Sequence, residues 1–139
     1  MDVTVEERWS SADDGGHGGL QLLVAAGPAR FVADEPVSQG GLDLGPTPHD
    51  LVAAALAACT AQTLRLYARR KGIPLGAVHV AVSHHRSAEA SPHDSFNRVI
   101  TLAGGLDPDQ RARLLQIAEM CPVHRMLTAG SAISTRLAP

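Results

Sequence analysis

The sequence predicts an α+β domain of order βββ-α-ββ-αα-β, and three observations carry that reading. Short alternating segments precede residue 34 and return between residues 78 and 102, which is strand patterning. Two helix starts are written out as cap, proline and return partner: Thr47-Pro48 with Asp50, and Asp107-Pro108 with Gln110. Between them runs an alanine- and leucine-rich stretch from Leu51 that is apolar on nearly every side. At 139 residues the chain suits one domain, residues 1–139, and is too short for two ordinary ones.

Residues 3–9 alternate well enough for a first strand. Residues 10–19 hold Asp13-Asp-Gly-Gly-His-Gly-Gly19 and read as a flexible turn. A second strand covers 20–25, and Gly27-Pro28 turns it towards a short third one around 30–33. The loop over 34–46 has no periodicity and reads as a lid or as plain surface. Thr47 caps the long helix, which runs to about Arg70 and is stopped by Gly72 and Pro74. Being apolar all round, that helix must be buried on most sides. A small sheet cannot supply so much cover, and a second subunit is the simplest source of it.

Val78, Val80 and Val82 alternate with His79, Ala81 and Ser83 as a half-buried strand, with the strand's histidines outward and its partner over 96–102. The helix from Asp107 ends near Met120, because Pro122 cannot continue it. Residues 123–128 read as a short third helix and 133–137 as a closing strand.

Composition narrows the function. A net charge of −2 gives no case for nucleic acid or an anionic membrane, and 3% aromatic residues leave no stacking platform. The charged start lacks the apolar region of a signal peptide, and residues 51–68 are interrupted by Thr60, Gln62, Thr63 and Arg65. The expectation is a cytoplasmic protein with reduced thiols, no membrane span and no cofactor, in which any disulfide is transient.

The chemistry then rests on two cysteines. Cys59 lies deep in the alanine-rich helix, where apolar neighbours raise a thiol pKa and the helix dipole helps little. It acts as a nucleophile only if a cation reaches it; otherwise it is a small buried hydrophobe. Cys121, with Pro122 behind it, becomes the N-cap of the short helix and is the more acidic thiol by local physics. Cys121 and His124 also make a Cys-x-x-His spacing that can ligate metal, with His79, His84, His85 and His93 as further ligands. Asp50 lies nine residues before Cys59, on the opposite helix face and about 13 Å away along the axis. It is a cap, or it orients a cation or serves a neighbouring subunit.

The segments from Gly45-Pro-Thr-Pro-His-Asp50 through Cys59-Thr60, Leu64-Arg-Leu-Tyr-Ala68 and Cys121-Pro-Val-His-Arg125 resemble the OsmC/Ohr family of bacterial osmotically inducible and organic hydroperoxide resistance proteins. The resemblance implies an OsmC-like fold with the long helices buried centrally in an intertwined homodimer. It implies a thiol peroxidase for organic hydroperoxides, restored by an external dithiol. By the same resemblance Cys59 matches the peroxidatic cysteine and Cys121 the resolving one. The family's acidic position falls on His49, with Asp50 beside it. Its thiolate-holding arginine lies in the N-terminal strands, where residues 9–29 have none, and Arg30 is the first candidate, with Arg8 also near. Arg125 is the second choice for the cation. The rival reading is a binding module holding a small hydrophobic ligand in the same cleft without turnover.

Overall fold

Three antiparallel strands open the chain in the computed structural model, which describes residues 7–139: β1 (Ser11–Asp13), β2 (Leu22–Ala26) and β3 (Ala29–Ala33), in that order across the sheet. They belong to a compact unit that ends at Leu51; a second unit runs from Val52 to Pro139. Of the strand expected over 3–9, residues 3–6 lie outside the described residues and 7–9 are not in a strand. The first strand sits later, in what read as a turn. The turn is shorter because Asp13 and Asp14 accept the N–H groups of Gly15 and Gly16 at 2.7 and 2.9 Å and close it locally.

The loop over 34–46 is neither structureless nor loose. Asp34, 2% exposed, accepts hydrogen bonds from the N–H groups of Glu35, Leu42 and Leu44 and from the Gln21 amide, at 2.8 to 3.1 Å. One carboxylate thereby gathers both ends of the loop. Gly41 and Gly45 let it fold back, since a Cβ there would meet the backbone of Glu35 and Val32. Burial raises the Asp34 pKa, but those four donors outweigh it and the net shift is downward. The sign follows: the stabilisation is complete above the unfolded carboxylate pKa of about 3.9 and is lost as pH falls through the lower folded value. We expect Asp34→Asn to lower Tm at neutral pH and to flatten the acid limb of the Tm–pH curve. An acid limb identical to that of the parent would contradict this role.

Helix α1 (Pro48–Lys71) begins as the cap pattern requires. Thr47 Oγ1 accepts from the Asp50 N–H and Asp50 Oδ2 accepts from the Thr47 N–H, both at 3.0 Å. It ends where Gly72 takes φ +66° and the Ile73 N–H reaches back to the Ala68 carbonyl at 2.9 Å. By length and composition α1 could cross a membrane, with a mean hydropathy of 1.3 over its most apolar window. Its buried residues, however, form a stripe at four-residue spacing, Leu56, Thr60, Leu64 and Ala68. Leu64 and Ala68 join Leu75, Leu114, Ile117 and Ala118 in the core of the second unit. Burial on most sides is therefore not achieved by one chain: Val52 is 37% and Leu66 63% exposed.

Strands β4 (Val78–Arg86) and β5 (Asp94–Leu102) form an antiparallel hairpin, with Val78 opposite Leu102 and Val82 opposite Arg98. Its half-buried face carries Val78, Val80, Val82 and His84 on one strand and Phe96, Arg98, Ile100 and Leu102 on the other. Not every strand histidine points out: His84 lies on this face, 2.8 Å from Asp94 and packed on Phe96. Helix α2 (Pro108–Ala118) has the full Asp107–Gln110 capping box, and α3 (Pro122–Ala129) starts at Cys121 as N-cap. The closing strand expected over 133–137 is absent. Among the described residues no strand pairs with it, and Ile133 and Leu137 are 89% and 96% exposed. A strand needs a neighbour for its backbone groups, and this segment pairs with none among the described residues.

Candidate active site

Two helix features bring the cysteines together. Thr60 belongs to the inward stripe of α1, so Cys59 beside it lies on the flank of that stripe and is half-buried. Pro122 lacks an N–H and forces the break between α2 and α3, which sets Cys121 at the mouth of α3 with 0% exposure. There each thiol is the other's side-chain partner.

The surroundings treat the two sulfurs differently. Burial pushes the Cys59 thiol up, the adjoining Cys121 adds to this, and the Val123 N–H and the Thr63 hydroxyl offset it only in part. Burial also works against the Cys121 thiolate. Here the Cys59 S–H, the N–H groups of His124 and Val123 and the Thr60 hydroxyl outweigh it, and the Cys121 thiol is lowered. The sulfur makes no strict capping hydrogen bond, but it lies against the first turn of α3. Cys59 is thus pushed up and Cys121 held down, and because the two thiols interact their proton loss belongs to the pair. This agrees with the expectation that Cys121 is the more acidic thiol.

A guanidinium that the sequence reading passed over completes the site. Arg98, on the inward face of β5 and 11% exposed, donates from Nη1 to Thr60 Oγ1 and from Nη2 to His124 Nδ1, each at 3.0 Å. Guanidinium only donates, so Nδ1 must accept and the ring proton sits on Nε2, facing Glu119 Oε2 at 3.1 Å. Glu119 Oε2 is 3.7 Å from Arg98. A metal held by Cys121 and His124 would have to displace Arg98 or Glu119 from the ring, and would meet the guanidinium charge. The signal for Arg98 was present: Phe96, Arg98, Ile100 and Leu102 share one face at period two, with one cation among apolar residues.

Of the other anticipated residues, Asp50 and Arg30 have local partners. Asp50 completes the cap of α1 with Thr47. Arg30 is exposed and donates to the Gly27 and Ala29 carbonyls of its own hairpin, at 3.0 and 2.8 Å. Arg125, the second choice, is exposed on α3. His79, His85 and His93 are exposed as well.

The family described as OsmC-like protein matches residues 40–136 of the chain. No curated protein matches it. Among solved structures, an OsmC-like protein of Mycoplasma pneumoniae superposes with a TM-score of 0.73 at 17% identity, covering 89% of each chain. An organic hydroperoxide resistance protein OsmC of Legionella pneumophila gives 0.64 at 22% identity, covering 86% of this chain and 87% of that one. The organic hydroperoxide resistance protein OhrB of Bacillus subtilis gives 0.57 at 22% identity, covering 84% and 87%.

Proposed function

This chain belongs to the OsmC-like protein family, and from that premise we propose that it is a cytoplasmic, homodimeric thiol peroxidase, a single OsmC-like domain that reduces organic hydroperoxides. One observation carries the reading: two thiols face each other and only Cys59 is open to the outside. The names of the Legionella and Bacillus structural relatives support the substrate class.

The chemistry balances with the groups present. Cys59 passes its proton to the Cys121 thiolate as its sulfur attacks the terminal peroxide oxygen. The O–O bond breaks, Cys59 becomes the sulfenic acid, and the alkoxide leaves as alcohol with the proton that Cys121 held. Cys121, again a thiolate, attacks the Cys59 sulfur; the S–O bond breaks and hydroxide departs, taking up a proton as water. The two electrons that reduced the peroxide have come from the two thiols. An external dithiol then reduces the disulfide by exchange.

The expected result on adding a stoichiometric organic hydroperoxide to the reduced protein is loss of both free thiols and an intrachain Cys59–Cys121 disulfide. Mass spectrometry of non-reduced peptides reads it directly. Consumption of peroxide with both thiols still free would overturn the mechanism.

A further inference from the structure

We propose that Arg98 is a positioning residue for closure of the Cys59–Cys121 disulfide. Its guanidinium ties α1 beside Cys59 to the first turn of α3, and that tie sets how readily the two sulfurs join. The inference rests on the reading of these cysteines as a redox pair and deepens it.

Each cysteine moves with a residue that Arg98 holds. Thr60 follows Cys59 in α1, is fully buried, and accepts from Arg98 Nη1 at 3.0 Å. On the other side, Cys121 is locked into the turn that carries His124. Its N–H donates to the Ala118 carbonyl at 3.3 Å, and its carbonyl accepts from the Arg125 N–H at 3.0 Å. His124 accepts at Nδ1 from Arg98 Nη2, again at 3.0 Å. One planar group therefore spans the two helices, and Glu119 at the end of α2 closes on His124 Nε2 at 3.1 Å. A lysine ammonium lacks the fixed fork that reaches both acceptors.

The tie matters because little else holds α3. That helix has eight residues, none of them buried, and one so short is marginal without packing to support it. Val123, His124 and Leu127 are its half-buried positions, and of these His124 is hydrogen-bonded to β5. A guanidinium 11% exposed on a face shared with Phe96, Ile100 and Leu102 is costly, and the mostly exposed Glu119 compensates weakly. A sulfur–sulfur bond forms only at a narrow separation and orientation, so freedom at α3 must be surrendered on closing. Holding both ends in advance removes that loss and raises the effective concentration of one thiol at the other. In the step concerned, the Cys121 sulfur attacks the Cys59 sulfenic sulfur, the S–O bond breaks and water leaves. With glutathione disulfide as oxidant instead, Cys59 and Cys121 give up two protons and two electrons, and the glutathione S–S bond becomes two thiols.

The test is the disulfide–dithiol equilibrium of the full chain in glutathione buffers of fixed ratio, read by alkylation and mass spectrometry. Arg98→Met is expected to shift it towards dithiol by about tenfold, the order that follows from losing a hydrogen bond to a charged group. Arg98→Lys should recover part of the loss. Thr60→Val and His124→Ala each remove one end of the tie and should shift the equilibrium the same way. Either one combined with Arg98→Met should add little. Arg65→Met is the structural control: it breaks another arginine fork of α1, onto the Leu75 and Gly76 carbonyls. It should lower Tm without moving the equilibrium. An unchanged equilibrium in a folded Arg98→Met variant would overturn the proposal, and so would an equal shift in Arg65→Met. Should Arg98→Met fail to fold, Thr60→Val and His124→Ala carry the test, and an unmoved equilibrium in both overturns it. A parent chain that forms no intrachain disulfide in any of these buffers also overturns it. A parent that forms the disulfide but consumes no hydroperoxide would sink the peroxidase reading and leave this one standing.

Discussion

Cys59→Ser is expected to abolish hydroperoxide consumption, whereas Cys121→Ser is expected to consume one equivalent and stop at the sulfenic acid. The reason is access. Cys59 is the half-exposed member of the pair and meets substrate; Cys121 has no exposed surface and meets only what Cys59 becomes. Steady-state turnover should fall in both by about a thousandfold or more, as when a nucleophile is removed. Single-turnover measurements separate them. The Cys121→Ser burst should be slower than that of the parent, because the variant also loses the acceptor for the Cys59 proton. Trapping with a sulfenic-acid reagent followed by mass spectrometry should place the adduct on Cys59. Equal loss of the single turnover in both variants would contradict the assignment of roles. If the unmodified chain turns over no organic hydroperoxide at all, the ligand-binding reading takes its place.

Light scattering at micromolar concentration is expected to give twice the chain mass. Helix α1 is the motive. Only one stripe of it is buried within the chain, while Ala54, Ala55, Ala58 and Leu66 are exposed on a helix with almost no polar side before Thr60. Covering a leucine side chain is worth about 1.5–3 kcal/mol, so a second copy gains substantially by closing over this face. Leu66→Asp, 63% exposed in the single chain, should cost the folded chain little and the dimer a great deal. An unpaired carboxylate at such an interface costs about 3 kcal/mol or more, which is roughly a hundredfold or more in dissociation constant. A soluble, stable monomer of the parent chain would refute the expectation.

Several features were legible because their causes are local. The starts of α1 and α2 need only a cap, a proline and a partner three residues on, and both capping boxes form. The stop at Gly72 and the break at Pro122 are backbone chemistry of single residues. Strand ends read less well. The first strand moved to Ser11–Asp13 because Asp13 and Asp14 tighten the following turn, a side-chain effect that alternation does not register. The segment at 133–137 has strand composition but pairs with no strand among the described residues, and pairing is not a property of one segment.

The site divides along the same line. From the sequence alone one could say that Cys121 caps a helix and is the more acidic thiol, and that Cys59 in mid-helix needs outside help. Both follow from neighbours within a few residues. Tertiary structure alone decided which groups surround Cys59. It set Cys121 against Cys59, although each belongs to a different helix, and it placed Asp34 at the centre of a loop whose sequence has no periodicity. It also gave the arginines their partners. Arg30 bonds to its own hairpin, while Arg98, thirty-eight residues along from Thr60, reaches that hydroxyl and His124 in a single fork. Period two could mark Arg98 as an inward-facing cation, but only the packing of β5 over α1 and α3 gives it partners. A charge on an apolar face must be satisfied by whatever the fold brings to it, and that is a long-range outcome.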